Sequence, residues 1–327
     1  MKALVTGGTG FTGSHLVRFL LEQGHDVTVL DVQKGIFDDE LAGLGAKIRY
    51  GEIFDPALCD EATRGQDVVF HLAAAFRGVD LSKAEYRKIN IEGTRVLANA
   101  ALENKVRRFV YTSTEGVHGL VESPPMDESG PIAPKDYYSV TKYEGEQVVW
   151  EYMEKGLPSV VLRPTAIYGP GDVGRYLMIF KFAKRGWFPM FGPGKVHYHP
   201  VHVDNLNDAF IKAAERDEAL GETYLIGDED YVSLNTLVRM TGEAIGSKVR
   251  IWHFPYYPFL LLSILVEAAC RPLRITPPLF KRRAEWYWTN RGFSIEKAKR
   301  ELGYKPTVKL KEGLEETGRW YVEHGHL

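Results

Sequence analysis

One glycine pattern narrows what this chain can fold into more than any other feature. Thr6-Gly7-Gly8-Thr9-Gly10-Phe11-Thr12-Gly13 follows an apolar run at Lys2 to Thr6 and leads into a segment of helical period at 12–23. Glycines at 7, 10 and 13 therefore sit in a strand-to-helix turn. Gly7 allows a tight reversal, Gly10 leaves room for a phosphate to reach backbone amides, and Gly13 lets helix and strand pack closely. The helix start adds free N–H groups and a positive dipole end. The pattern predicts a βαβ unit whose first turn holds the pyrophosphate of a dinucleotide.

The rest of the first half alternates short apolar runs with helical periods, the mark of a parallel sheet with crossover helices. Strands are expected at 2–6, 26–31, 47–50, 67–71, 107–112 and 159–162, and helices at 12–23, 56–64, 83–104 and 138–155. Asp55-Pro56 reads as an N-cap followed by a proline at the first helical position. After Pro164 the texture changes to glycine, proline and aromatics, with Val201 to Val203 read as one more sheet strand and Asn205 to Glu215 as its helix. The expected fold is α/β: a Rossmann-type doubly wound parallel sheet with a smaller mixed α/β C-terminal substrate lobe. The dinucleotide domain would span 1–165, with 198–228 returning to it, and the lobe 166–197 and 229–327.

Composition excludes several classes. At 44% hydrophobic and 26% charged over 327 residues, the chain can bury a large core. A formal charge of −2 gives no general polyanion surface, so nucleic acid is not an expected partner. Within that balance, residues 271–327 hold 13 Lys or Arg against 7 Asp or Glu, read first as a solvated face and second as a contact with anionic lipid. Cys59 and Cys270 are far apart and lack ligand neighbours, which fits a reducing cytoplasm. The N-terminus runs straight into the first strand, with no signal-peptide pattern. The apolar stretch Phe254 to Val266 contains two prolines and is short of the ~20 residues a spanning helix needs. It reads as core or dimer interface first, then as a substrate lid, then as a membrane-surface contact. His197, His199 and His202 alternate without a fourth ligand, so no metal is expected.

Chemistry concentrates at three places. Asp31 ends the second strand eighteen residues beyond Gly13, where a carboxylate accepts hydrogen bonds from an adenosine ribose and repels a 2′-phosphate, favouring NAD over NADP. Tyr138-Ser139-Val140-Thr141-Lys142 opens a helix, and residues four apart share one face. A phenol of ordinary pKa near 10 is a poor base at neutral pH, but an adjacent ammonium stabilises the phenolate, so Tyr138 can exchange a proton with a substrate oxygen. Thr112, Ser113 and Thr114 put hydroxyls at the carboxyl end of a strand, where ligands bind in open α/β sheets.

With these residues in hand, the chain resembles the extended short-chain dehydrogenase/reductase superfamily, the NAD-dependent epimerases and dehydratases. The likeness runs from Met1 to about Trp320. Its further motifs are His71-Leu72-Ala73-Ala74-Ala75, Asn90 with Gly93-Thr94, Arg163-Pro164 through Tyr168-Gly169-Pro170-Gly171, Val201-His202-Val203-Asp204-Asn205 and Glu301-Leu302-Gly303-Tyr304-Lys305-Pro306. The resemblance implies Thr114 as the Ser/Thr of a catalytic triad with Tyr138 and Lys142, with Ser113 just before it as a further catalytic candidate. It also implies that the backbone of Phe11 and Thr12 meets the pyrophosphate, Ile53 the adenine, Ala73 the cofactor wall and Lys142 the nicotinamide ribose. Glu52 departs from the family's usual Asp at the adenine contact. A homodimer pairing helices 83–104 and 138–155 is also implied.

Two branches of that superfamily compete. Nucleotide-sugar enzymes usually carry an Asn and an Arg where this chain has Ala166 and Tyr198, and the late R-x-G-D-like element is missing. The stretches Ala166 to Asp172, 254–266 and Phe293 to Lys299 resemble the 3β-hydroxysteroid dehydrogenase-like branch, which includes reductases of β-keto acids. The aromatic-rich lobe suits an apolar substrate. The expected activity is NAD-dependent, reversible oxidation of a secondary alcohol to a ketone on a mainly apolar small molecule. The alternatives are a nucleotide-sugar epimerase or dehydratase with tightly bound NAD, kept open by Glu115 beside Thr114, and a non-catalytic NAD-binding module.

Overall fold

The computed structural model describes residues 1–76, 81–270, 277–279 and 281–327. Arg271 and Arg274 of the basic C-terminal stretch lie outside the described residues. Seven strands form one sheet: β1 (Lys2–Thr6), β2 (Asp26–Asp31), β3 (Lys47–Tyr50), β4 (Val68–His71), β5 (Arg108–Thr112), β6 (Ser159–Pro164) and β7 (Thr223–Ile226). Their order is β7-β6-β5-β4-β1-β2-β3 and every pairing is parallel. The order reverses between β1 and β4, which is the switch point where the carboxyl ends of the strands leave a crevice. This is the Rossmann-type sheet the glycine turn predicts.

The helices that position the site are α1 (Phe11–Glu22), α2 (Pro56–Thr63), α3 (Thr94–Glu103), α4 (Tyr137–Glu154), α5 (Val203–Glu215) and α6 (Tyr256–Cys270). One sheet face packs Val5, Val27 and Phe70 against Leu16 and Leu20 of α1 and Leu206 and Phe210 of α5. The other packs Leu4, Val69 and Phe109 against Cys59 of α2, Leu97 and Ala101 of α3 and Val149 of α4. Strands covered on both sides read as near-continuous apolar runs, and β4 to β6 are buried throughout but for Thr112. At roughly 1.5–3 kcal/mol per large apolar side chain buried, these two layers supply much of the drive to fold.

Three expectations change. Pro200–His202 is a strand, but it pairs with Ala166–Tyr168 in a separate two-stranded sheet, and the seventh sheet strand is Thr223–Ile226 beside β6. The expected single helix 83–104 is an α-turn at Lys83–Arg87, a π-helical segment at Lys88–Gly93 and then α3. The apolar stretch 254–266 is not buried core: its helical part lies in α6, of which only Tyr256, Phe259 and Ser263 are buried. Pro258 is tolerated there because it falls in the first turn, where its missing N–H has no intrahelical partner.

Beyond β6 the chain builds a second core around Tyr176, Phe180, Phe188, Tyr198, Leu237 and Trp286. Strands Trp187–Phe191 and Arg250–Phe254 pair in parallel across its edge.

Candidate active site

The glycine turn closes on itself as its spacing requires. Gly7 adopts a φ of 71°, and a Cβ there would lie 2.7 Å from the backbone nitrogen of Ala73. A Cβ on Gly13 would lie 2.1 Å from the Gly7 carbonyl oxygen. Gly10 differs: it is exposed, and its missing Cβ would meet only the Gly7 carbonyl oxygen, at 3.3 Å. It is the N-cap of α1 with no side chain closing the helix, so the first-turn N–H groups at Phe11 and Thr12 open onto the crevice. This cradle fits a dinucleotide pyrophosphate. At its rim the Asp31 carboxylate accepts from the Thr9 N–H at 3.1 Å and the Val32 N–H at 2.7 Å, which fixes it at the end of β2. Ala73 abuts Gly7, and Ile53 is buried against Gly93 of the π-helical segment.

The β4 end is braced from inside. His71 is fully buried with its ring nitrogens 2.8 Å from Thr6 Oγ1 and 2.9 Å from Thr94 Oγ1, and burial holds its pKa well below the usual imidazole range. Asn90, in the π-helical segment, accepts from the Ala75 N–H at 2.7 Å and donates to Thr141 Oγ1 at 2.9 Å. It thereby ties the loop after β4 to the residue beside Lys142. In the sequence Asn90 stands out only as part of the motif with Gly93-Thr94; the π-turn that points it inward is the kind of local irregularity found at functional sites.

Tyr138 and Lys142 lie on α4, whose N-terminus is capped by the Asp136 carboxylate accepting from the Ser139 N–H at 3.2 Å. The Tyr138 ring is half-buried with Phe76 at 4.9 Å. Lys142 is buried, its ammonium 4.1 Å from the Tyr111 ring centroid. Burial pushes its pKa down from the ordinary 10.5 to about 7, while the carboxylate of Glu146, one turn on, pulls it up. Thr114 follows β5, donating to Glu115 Oε2 at 2.9 Å and accepting from the Gly116 N–H at 3.1 Å. A Cβ on Gly116 would lie 2.5 Å from Ser139 Oγ and 3.4 Å from Thr114 Oγ1, so the Thr114 turn packs directly on the first turn of α4. The structure thus brings Thr114 and the α4 start together.

Ser113 points elsewhere. It is buried, and its hydroxyl donates to Glu146 Oε1. Glu146 also accepts from Arg163 Nε at 2.9 Å and Nη2 at 2.6 Å, and Arg163 Nη1 lies 3.1 Å from His118 Nε2. This fully desolvated pair fixes α4 against β5 and β6. Glu146 stands four and eight residues beyond Lys142 and Tyr138, a helical spacing that places an acid on the buried face and was readable in the sequence.

Across the crevice the lobe presents Arg175, half-buried, which donates to Tyr198 OH at 2.9 Å with its guanidinium carbon 5.7 Å from the Trp286 ring centroid. Among the described residues no carboxylate forms a salt bridge with it; burial opposes its charge, while Tyr198 and, less strongly, Glu115 beside Thr114 favour its charged form. The three alternating histidines do not converge: His199 Nε2 lies 2.8 Å from the Asp228 carbonyl oxygen, His202 Nδ1 accepts from the Asp204 N–H at 3.3 Å, and the His197 ring packs on Tyr231.

Comparison with known proteins agrees with this architecture. The family model described as the NAD dependent epimerase/dehydratase family matches residues 3–227. The chain is 30% identical to 3beta-hydroxysteroid-dehydrogenase/decarboxylase isoform 1 of Arabidopsis thaliana, covering 96% of this chain and 78% of that one. It is 31% identical to 2-alkyl-3-oxoalkanoate reductase of Stenotrophomonas maltophilia, covering 96% and 97%. Among solved structures, the UDP-glucuronic acid 4-epimerase of Bacillus cereus, in complex with UDP-glucuronic acid and NAD, superposes with a TM-score of 0.77 at 25% identity, over 99% of this chain and 100% of that one. With a dinucleotide cradle, a Tyr-x-x-x-Lys helix and a matching family model, the chain belongs to the NAD-dependent epimerase/dehydratase family of extended short-chain dehydrogenase/reductases and is an NAD-dependent enzyme of that family.

Proposed function

We propose that this enzyme reversibly oxidises a secondary alcohol to a ketone on a mainly apolar substrate, with Tyr138 as the acid/base. The observation that supports the reading is the packing of the Thr114 turn, which follows β5, on the first turn of α4, the helix that carries Tyr138 and the buried Lys142. Gly7, Gly10, Gly13, Phe11 and Thr12 would hold the NAD pyrophosphate, Asp31 its adenosine ribose, Ile53 the adenine, Ala73 the adjoining wall and Lys142 the nicotinamide ribose. When bound, NAD supplies the hydride acceptor, and its reduced form the donor in the reverse direction.

The chain's own residues then handle the proton. Thr114 holds the substrate oxygen, giving up its bond to Glu115 for the purpose. Tyr138 Oη takes the hydroxyl proton during oxidation and returns it during reduction. Lys142, in its protonated form, favours the phenolate by its positive charge. Ser113 keeps the strand end in register through Glu146. Residues 166–197 and 229–327 form the substrate lobe in this reading, with an aromatic interior suited to an apolar ring or chain. Names among the relatives, a hydroxysteroid dehydrogenase and an oxoalkanoate reductase, support a carbinol or ketone of that kind. Tyr138→Phe is expected to abolish turnover while NAD affinity stays nearly unchanged; activity within about tenfold of wild type would remove the acid/base role.

A second reading, a nucleotide-sugar epimerase or dehydratase that retains NAD, is favoured by one observation. Tyr198 stands where such enzymes carry an arginine, and Arg175 brings a guanidinium to its hydroxyl from another element.

A further inference from the structure

α6 is apolar on nearly every side, yet only its inner side is covered. Leu261, Leu262, Ile264 and Leu265 stand 41–59% exposed. A helix that is hydrophobic all round belongs in a core or at a membrane, and a contiguous exposed apolar patch marks an interaction surface. Aromatic rings frame the patch: Trp252 and Phe254 are exposed on the adjoining strand, Tyr257 at the helix start, and Trp288 stacks on Tyr256 with centroids 4.6 Å apart. Rings with an apolar body and a polar edge favour the boundary between water and lipid.

Charge falls on the same segment. The short helix Lys281–Glu285 is tied to α6 by the Lys281 N–H, which donates to Glu267 Oε2 at 3.0 Å, and Lys281 and Arg283 are exposed. From 248 to 288 the sequence carries seven Lys or Arg against two Glu, in a chain whose total is −2. The rest of the protein is therefore acidic, and an anionic surface would attract this segment and repel the remainder. Two copies meeting symmetrically through this face would instead bring like charges together. No helix among the described residues is long and apolar enough to cross a membrane.

We infer that this face docks on an anionic lipid surface, with α6 lying in the interfacial plane, its exposed leucines and Ile264 at the acyl boundary, and Lys281 and Arg283 at headgroup level. The inference rests on the surface and not on the catalytic reading. If both hold, docking places the aromatic lobe where apolar substrates partition.

Flotation of the full chain with vesicles tests this, using phosphatidylcholine alone and phosphatidylcholine mixed with phosphatidylglycerol. The expected result is binding to the anionic vesicles that weakens in neutral vesicles and at high salt. A Leu261→Asp/Leu265→Asp variant should lose at least about tenfold in partitioning, and Lys281→Glu/Arg283→Glu about tenfold or more. Both alter exposed positions, so an unchanged thermal melt certifies the fold. Absence of binding to anionic vesicles, or binding that the leucine variant leaves intact, would overturn the inference. So would a stable wild-type dimer that the leucine variant converts to monomer, since a second copy would then cover the face.

Discussion

Replacing Lys142 with methionine should make the protein more stable and inactive at once. The ammonium is 1% exposed, and burial lowers its pKa from 10.5 to about 7. One pKa unit corresponds to about 1.4 kcal/mol, so an amine that is charged in the unfolded chain costs the native state about 4–5 kcal/mol near pH 7. The cation–π contact with Tyr111 at 4.1 Å offsets about 1–2 kcal/mol of this. Methionine is unbranched, fits the same channel and carries no charge, which leaves a gain of about 3 kcal/mol. The pH dependence fixes the cause. Between pH 7 and 10.5 the unfolded amine holds a proton that the native amine has lost, so wild-type stability rises with pH through that window. The advantage of Lys142→Met is therefore largest below pH 7, shrinks by about 1.4 kcal/mol per pH unit above it, and reaches zero at about pH 9. Urea unfolding followed by tryptophan fluorescence across this range measures it. A stability difference independent of pH, or a methionine variant less stable at every pH, would refute the reasoning.

Other perturbations follow from the same geometry. Asp31→Ala should lower NAD affinity by about ten- to a hundredfold, the loss of charged hydrogen bonds worth about 1.5–3 kcal/mol, and cut the preference for NAD over NADP; titration with both cofactors checks it, and an unchanged ratio would remove Asp31 from the ribose site. Glu146→Gln strips Arg163 of its only buried carboxylate among the described residues and should cost about 3–5 kcal/mol in chemical denaturation; a loss under about 1 kcal/mol would mean that water reaches the pair. Arg175→Met should raise KM for hydroxy acids by about tenfold or more and leave neutral carbinols nearly unaffected, because only the former carry an anion for the guanidinium; equal effects on both would make it a structural residue.

Local features were the most legible in the sequence. The glycine spacing encodes a turn in which Gly13 meets the Gly7 carbonyl within eight residues, although the close approach of Ala73 to Gly7 comes from the distant end of β4. Tyr138 and Lys142 share a helix face for the same local reason. Pairing partners over long range were harder to read. Val201 to Val203 and Thr223 to Ile226 are both short apolar runs, and only the assembled fold sends the first to Ala166–Tyr168 and the second to β6. Ser113 reads like Thr114 in composition, but strand alternation turns it inward to Glu146 and leaves its neighbour at the crevice. The stretch 254–266 was ambiguous because apolar periodicity says nothing about whether a second layer exists to cover it. Arg175 carried no sequence signal, since its significance comes from Tyr198 and Trp286 converging from distant segments.

The most direct test of the central claim is the fate of the cofactor. The purified enzyme is denatured and the NAD and NADH released per chain are measured; the native enzyme is then supplied with NAD and with hydroxy acids, sterols or other apolar carbinols, and reduced nicotinamide is followed by absorbance. An exchanging dehydrogenase should release little cofactor, bind added NAD reversibly and accumulate NADH in proportion to ketone formed. Near-stoichiometric NAD retained through purification, with nucleotide sugars converted and no net NADH, would contradict that account and establish the epimerase reading in its place.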